Sequence, residues 1–267
     1  MPAILPARLR QQAALLAEQF EQPDAFIRSL HHLLDFYADR THRPGQAGEP
    51  PPLLSAYNVR PPVIRQVLQE LVQLAPENPE AALNLCDALW NQPYLELRLL
   101  AAGLLGQLPV DPPEPVLERV QAWVKQGTEA RLKTVLFDQG LARLRKEDPN
   151  LVLQRAEEWL SSADPFDQQL GLQAMLPLVS DPAYQNLPVF FRLIYTLVRS
   201  IPPGLRPDLL DVLAALARRS PQETAYFLRQ TLLTLQSPDT AWLIRRSLPA
   251  FPLDTQESLR RALREIA

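Results

Sequence analysis

"LWNQPYLELRLLAAGLLGQL", residues 89–108, joins a helix ending in tryptophan to a strongly apolar second helix through one short turn containing Pro93. Within 94–108, Leu97, Leu100, Ala101, Leu104 and Leu108 form a stripe at helical spacing, and Leu95, Leu99, Ala102 and Leu105 cover much of the remaining surface. A helix that is apolar on most sides must be packed on most sides. Two helices joined this closely form a hairpin that cannot bury so wide an apolar surface alone, so further hairpins must stack on it.

The rest of the chain supplies them. Five helix candidates open with proline near the first turn, where its missing N–H costs nothing: Pro79, Pro115, Pro149, Pro188 and Pro221, spaced by 36, 34, 39 and 33 residues. Each is followed by a short break ("NQP", "KQGT", "SSADP", "SIPPG", "QSPD") and a second apolar helix. Composition agrees, with 8 glycines, 28 prolines and few β-branched residues among many Leu, Ala, Arg, Gln and Glu. The fold class predicted is all-α, a right-handed α-solenoid of HEAT-like helical hairpins. Trp90, Trp123 and Trp159 fall near the ends of the first helices and are read as packing between repeats.

A single domain over 1–267 is expected. It starts with an N-terminal helical pair in 1–43, with helices over 3–20 and 24–43 and Asp24 capping the second. A Pro/Gly loop or hinge follows at 44–60, then stacked hairpins over 61–253. A polar capping helix closes the chain at 254–267, with Asp254 and Glu257 in a capping arrangement and Arg260, Arg261 and Arg264 outward.

Several function classes lack their parts. The net charge of −3, from 27 basic and 30 acidic residues, gives no global field for nucleic acid. Of the basic residues 24 are Arg, a weak pointer to a GC-rich or thermophilic source. There is no glycine-rich phosphate loop, no Cys-x-x-Cys pair and no nucleophile elbow, which argues against the common NTPase, zinc-module and hydrolase readings. Cys86, the single cysteine, cannot form an intramolecular disulfide, and "AALNLCDALW" reads as a buried inert thiol. With no apolar leader and no long apolar run, a cytoplasmic protein without membrane attachment is expected. His31, Asp35 and His42 share a helical face, but eleven residues of helix span about 16 Å, too far for one ion. No metal and no cofactor are therefore expected, with His31 and Asp35 kept as a remote two-ligand option.

"YNVRPPVIRQVLQEL" (57–71) followed by "LWNQPYLELRLLAAGLLGQL" resembles the DNA alkylation repair family of HEAT-like repeat glycosylases, through Pro62, Arg65, Leu89, Trp90, Glu96 and Ala102. The resemblance implies removal of N-alkylated purines through a cationic sugar, which needs a carboxylate near the developing charge and aromatic groups around the lesion. In the family these come from a Trp and an Asp on the second helix of a hairpin. Aligned on "DPN" (148–150), that motif falls over "TEARLKT", with Glu129 and Ala130 at the aromatic positions and Thr134 at the carboxylate. Where arginines should hold phosphates, "DPFDQQLGLQAM" offers Asp167, Gln168, Gln169 and Leu170. The family's fold without its ordinary catalysis is the expectation. Asp138, seven residues before Arg145, is the one shifted carboxylate, and an exposed ion-paired acid is its plainer reading.

The remaining candidate surface is electrostatic. Arg98, Arg131, Lys133, Arg143 and Arg145 lie on successive second helices, Arg218 and Arg219 follow, and "WLIRRSLPAF" adds Arg245 and Arg246. In a curved solenoid such helices line one concave face, so the function expected is non-catalytic binding of double-stranded DNA or a protein partner there. The alternatives are an active glycosylase using Asp138 or another carboxylate that the sequence does not place, with Trp90 or Tyr57 near the lesion, and a purely structural subunit that recruits other proteins.

Overall fold

The computed structural model describes residues 5–41, 54–126 and 129–265. Among these the chain is helical and contains no strand. The order is α1 (Pro6–Ala17), α2 (Pro23–Tyr37), α3 (Pro61–Leu74), α4 (Pro79–Trp90), α5 (Leu95–Leu105), α6 (Glu114–Lys125) and α7 (Ala130–Val135). α7 runs into a π-helical turn (Leu136–Gly140), followed by α8 (Ala142–Glu147), α9 (Pro149–Leu160), α10 (Pro165–Ser180) and α11 (Pro188–Arg199). α12 (Arg206–Arg219), α13 (Pro221–Leu235), α14 (Pro238–Ser247) and α15 (Leu253–Glu265) complete it. No described helix is long and apolar enough to cross a membrane.

All five spaced prolines lie in first turns: Pro79, Pro149, Pro188 and Pro221 open their helices and Pro115 is the second residue of α6. Where Asn or Asp precedes the proline, its side chain closes the cap: Asn78 accepts from the N–H of Ala81 at 3.2 Å and Asp148 from that of Leu151 at 3.1 Å. Two expected caps move. Gln22 is the N-cap of α2 because Pro23, with φ already fixed, takes the first position, which leaves Asp24 as a first-turn acid. Helical bonding in α15 already runs from Gln256 N–H to Pro252 O, so Asp254 also sits inside the first turn. α2 stops at Tyr37, where Ala38 turns extended, rather than reaching 43.

The chain divides into two compact units, residues 1–147 and 148–267. In the first, α5 packs against α3, α4, α7 and the π turn. Leu97, Leu100, Ala101, Ala102, Leu104 and Leu105 are fully buried, as the apolar surface of this helix requires. Gly106 closes α5 where there is no room for a side chain, since a Cβ would stand 1.7 Å from the carbonyl oxygen of Gln139 in the π turn. Trp90 and Trp123 stack between α4 and α6, centroids 4.4 Å apart and planes within 6°. In the second unit α9 pairs with α10. Beyond them α10, α12 and α14 pack in succession as one layer and α11, α13 and α15 as another.

Candidate functional site

Arg60 precedes two prolines, and residues before proline are steered out of helix, so 54–60 runs extended into α3. It lies along the α4–α5 turn. Ser55 donates its N–H to Pro93 O at 3.1 Å, and its carbonyl accepts from Leu95 N–H at 2.9 Å. Glu96, in the first turn of α5 and only 5% exposed, ties this strap down. Its Oε2 accepts the N–H of Tyr57 at 3.1 Å and its Oε1 that of Asn58 at 2.7 Å. The grip requires a left-handed backbone at residue 58 (φ 55°), which asparagine tolerates better than most residues. Leu54 N–H reaches Glu129 Oε1 at 3.2 Å.

The strap presents Tyr57 to two other rings. Tyr57 stacks on Tyr94 at 5.0 Å and 18°, its hydroxyl lies 2.7 Å from Nδ1 of His31, and His31 meets Tyr94 edge-on at 5.0 Å. Burial and then the neighbouring Tyr94 push the Tyr57 phenol up to about 12. Burial, followed by His32, holds His31 below its ordinary value. Near neutrality the pair is therefore a neutral phenol hydrogen-bonded to a neutral imidazole. The result is a half-exposed polar shelf of aromatic and imidazole rings. The Glu96 carboxylate that holds the strap accepts from two backbone donors.

The predicted cations on this unit are largely engaged by the protein itself. Arg98 donates from Nε to Gln92 O at 3.1 Å and lies over the Trp90 ring at 5.1 Å, and burial lowers its pKa against the pull of Glu129. Arg143 binds Gln107 O at 3.0 Å and Glu147 at 2.7 Å. Arg145, with 16% of its side chain exposed, donates to the carbonyls of Phe137 and Asp138 at 3.1 and 2.9 Å. It also pairs with the Asp138 carboxylate at 3.5 Å, which is 60% exposed. The seven-residue offset between them crosses the π turn and Leu141 rather than one regular helix. Lys133 lies in the last turn of α7, half-buried, and Thr134 is exposed beside it. The side chain of Arg131 and all of His42 lie outside the described residues. Asp35 forms a bidentate pair with Arg40, 3.0 Å to each oxygen, and His31 faces the tyrosines. Among the described residues no three His, Cys, Asp or Glu side chains gather as metal ligands.

On the second unit, α10 has glutamines where the resemblance asks for arginines. Gln169 and Gln173 each donate to Asp208 of α12 at 2.8 Å. Burial and then Asp208 raise the Asp211 carboxyl. Arg219 is held by the carbonyls of Val179, Asp181 and Tyr184. Arg245 and Arg246, in the last turn of α14, are exposed and make no hydrogen bond or ion pair among the described residues. Arg246 and Arg206 both lie over Trp242, at 5.9 and 4.6 Å.

Sequence reasoning missed the grouping of His31, Tyr57 and Tyr94, although a lone acid at Glu96 opening an apolar helix, two residues after a tyrosine, was a usable signal. It also missed an aromatic groove between α11, α13 and α15. A helical hairpin protein with a strap tied to its most buried helix is the class this geometry defines. A family model described as "DNA alkylation repair enzyme" matches residues 53–248, beginning at that strap. The chain belongs to the DNA alkylation repair family. Searches of curated proteins and of solved structures gave no match.

Proposed function

We propose that this protein is a DNA-binding member of its family that has given up the family's ordinary base-excision chemistry and holds double-stranded DNA through α14. The observation that carries the reading is that Arg245 and Arg246, adjacent in the last turn of α14, are both exposed with no acidic partner among the described residues, and that Arg246 lies over Trp242. Two further features support it. Aligned on "DPN", the sequence puts Thr134 where the resemblance implies a carboxylate, and on α10, where it implies phosphate-holding arginines, Gln169 and Gln173 bond Asp208. The hairpins within each unit are taken to stack in the right-handed, HEAT-like manner.

The test is fluorescence-anisotropy titration of duplex DNA, undamaged and with an abasic-site analogue, at two salt concentrations. Base release from an alkylated duplex is followed in parallel. Binding should weaken steeply with salt, and the Arg245→Glu/Arg246→Glu double variant should bind at least about tenfold more weakly with a shallower salt slope. Neither the wild type nor Asp138→Asn should release base. Release that Asp138→Asn abolishes would establish the enzyme reading instead, and no binding at low salt would leave only a protein partner.

A further inference from the structure

Four of the seven large apolar side chains exposed among the described residues, Tyr195, Tyr226, Leu233 and Leu253, lie on α11, α13 and α15 of the second unit. Between these helices runs a groove of about 890 Å³. Its floor is aromatic: Phe227 packs against Phe191 at 5.1 Å and against Tyr195 at 6.4 Å. Tyr195 and Tyr226 form its walls, 38% and 59% exposed. Soluble proteins seldom leave such rings together in solvent without a partner to cover them.

The charges around the groove have an order. Glu223 lies in the first turn of α13 and Asp254 in the first turn of α15, and neither has a cationic partner among the described residues. Arg229, six residues beyond Glu223 and so about 9 Å along the axis, lies over the Tyr226 ring at 5.9 Å. Arg199, closing α11, lies over Tyr195 at 5.4 Å. Neither arginine has an acidic partner among the described residues. Along α13 an acid and a base are therefore separated with Tyr226 between them, and Asp254 on α15 and Arg199 on α11 add one further charge of each sign around the aromatic floor.

We infer that this groove is a docking site for a short amphipathic segment of another protein, with apolar side chains seated on Phe191, Tyr195, Tyr226 and Phe227, a basic residue toward Glu223 and Asp254, and an acidic residue toward Arg229 and Arg199. Tyrosine and arginine around a concave apolar floor are the residue types that dominate binding energy at protein interfaces. A phosphate backbone fits less well, because two of the three charged side chains lining the groove are acidic. The groove belongs to the layer of α11, α13 and α15, whereas Arg245 and Arg246 are on α14 in the other layer, so the inference does not depend on the DNA reading.

The test uses the full chain as bait for a random display library of 16-residue peptides, with binders to Tyr195→Ser/Tyr226→Ser subtracted. Both tyrosines are solvent-facing, and circular dichroism verifies that the bait variant is folded. The enriched sequences should share an apolar core with a basic residue on one side and an acidic one on the other. A synthetic consensus peptide should bind at least tenfold more weakly to Tyr195→Ser/Tyr226→Ser and to Arg229→Glu. Changing the peptide's acid to lysine should restore binding to Arg229→Glu, and Arg245→Glu/Arg246→Glu should leave peptide affinity unchanged. The inference fails if nothing is enriched, if the consensus has no charge order, or if the groove variants bind the peptide as the wild type does. It fails equally if oligo-dT displaces the peptide, which would make the groove a single-strand site, or if the tyrosines prove to mediate self-association of the chain.

Discussion

Replacing Glu96 removes the tie between the strap and α5, and its cost follows from the two bonds it makes. The carboxylate is 5% exposed and accepts from two backbone donors, at 3.1 and 2.7 Å. A hydrogen bond to a charged group contributes about 1.5–3 kcal/mol, so the pair sets an upper bound near 6 kcal/mol. The strap is half-buried, so once freed it can lift and return both N–H groups to water, and deleting the acid also relieves the cost of burying it. Glu96→Ala should therefore destabilise the first unit by about 3 kcal/mol. At roughly 2–4 °C per kcal/mol for a unit of this size, its melting transition should fall by about 6–12 °C in scanning calorimetry. Glu96→Gln keeps one acceptor and turns an NH₂ toward the other donor, so it should fall in between. Amide hydrogen exchange should quicken at Tyr57, Asn58 and Leu95 in both variants. If Glu96→Ala melts within about 0.5 kcal/mol of the wild type, or those amides exchange unchanged, the strap is held by something else and the reasoning is wrong.

Gly106→Ala should cost at least about 3 kcal/mol, read as a lower denaturant midpoint, because its Cβ would meet backbone at Gln139 rather than a side chain able to turn aside. Cys86 is fully buried, and burial pushes its thiol well above the ordinary value, so it should not react with a disulfide reagent until the first unit unfolds. Fast reaction in native buffer would contradict the packing of α4 on α5. Because His31 has a lowered pKa when folded, its contribution to stability is present above about pH 6.5 and is lost as pH falls through the folded value. Stability should thus decline between pH 7 and 5, and His31→Gln should flatten that decline. An unchanged slope would mean that other groups govern acid sensitivity.

What was legible in the sequence was what depends on local chemistry. Asn or Asp before a proline opens a helix at Pro79, Pro149 and Pro165, although not at Pro112 or Pro182, and an apolar surface as wide as that of α5 permits only a central position. The break at Leu136–Gly140 was only half legible. The apolar positions change face there, from Leu132, Val135 and Leu136 to Phe137, Leu141 and Leu144 about 150° round a regular helix, but the pattern does not say what interrupts the helix. The π turn lies where Gln139 O meets Gly106, and Arg143 N–H bonds Gly106 O at 3.2 Å beside it, contacts with a segment more than thirty residues away. The fate of the arginines was hidden for the same reason. Spacing shows that Arg98, Arg143 and Arg145 recur on second helices, but not that each guanidinium is drawn to a backbone carbonyl left unpaired near a helix end. The aromatic groove was closer to being readable. "PVFFRLIYTLVR" places Phe190, Ile194, Leu197 and Val198 on the buried side and still has Phe191 and Tyr195 left over, more apolar arc than one buried face can use.

That surplus bears on the proposed loss of the family's base-excision chemistry. A stacked hairpin has two outward layers, and changing one need not disturb the other while the shared interior is kept. In the second unit the α10–α12 surface carries the Gln169–Asp208–Gln173 network where phosphate-holding arginines would be expected, and α14 of the same layer retains Arg245 and Arg246. The opposite layer carries apolar side chains that its own core does not need. If the groove is a docking site, exchanging its tyrosines for serine should leave duplex affinity and its salt slope untouched, while glutamates at 245 and 246 should change both and spare peptide binding. A single variant that altered both properties would show that the layers are coupled, and that the fold transmits what happens on one face to the other.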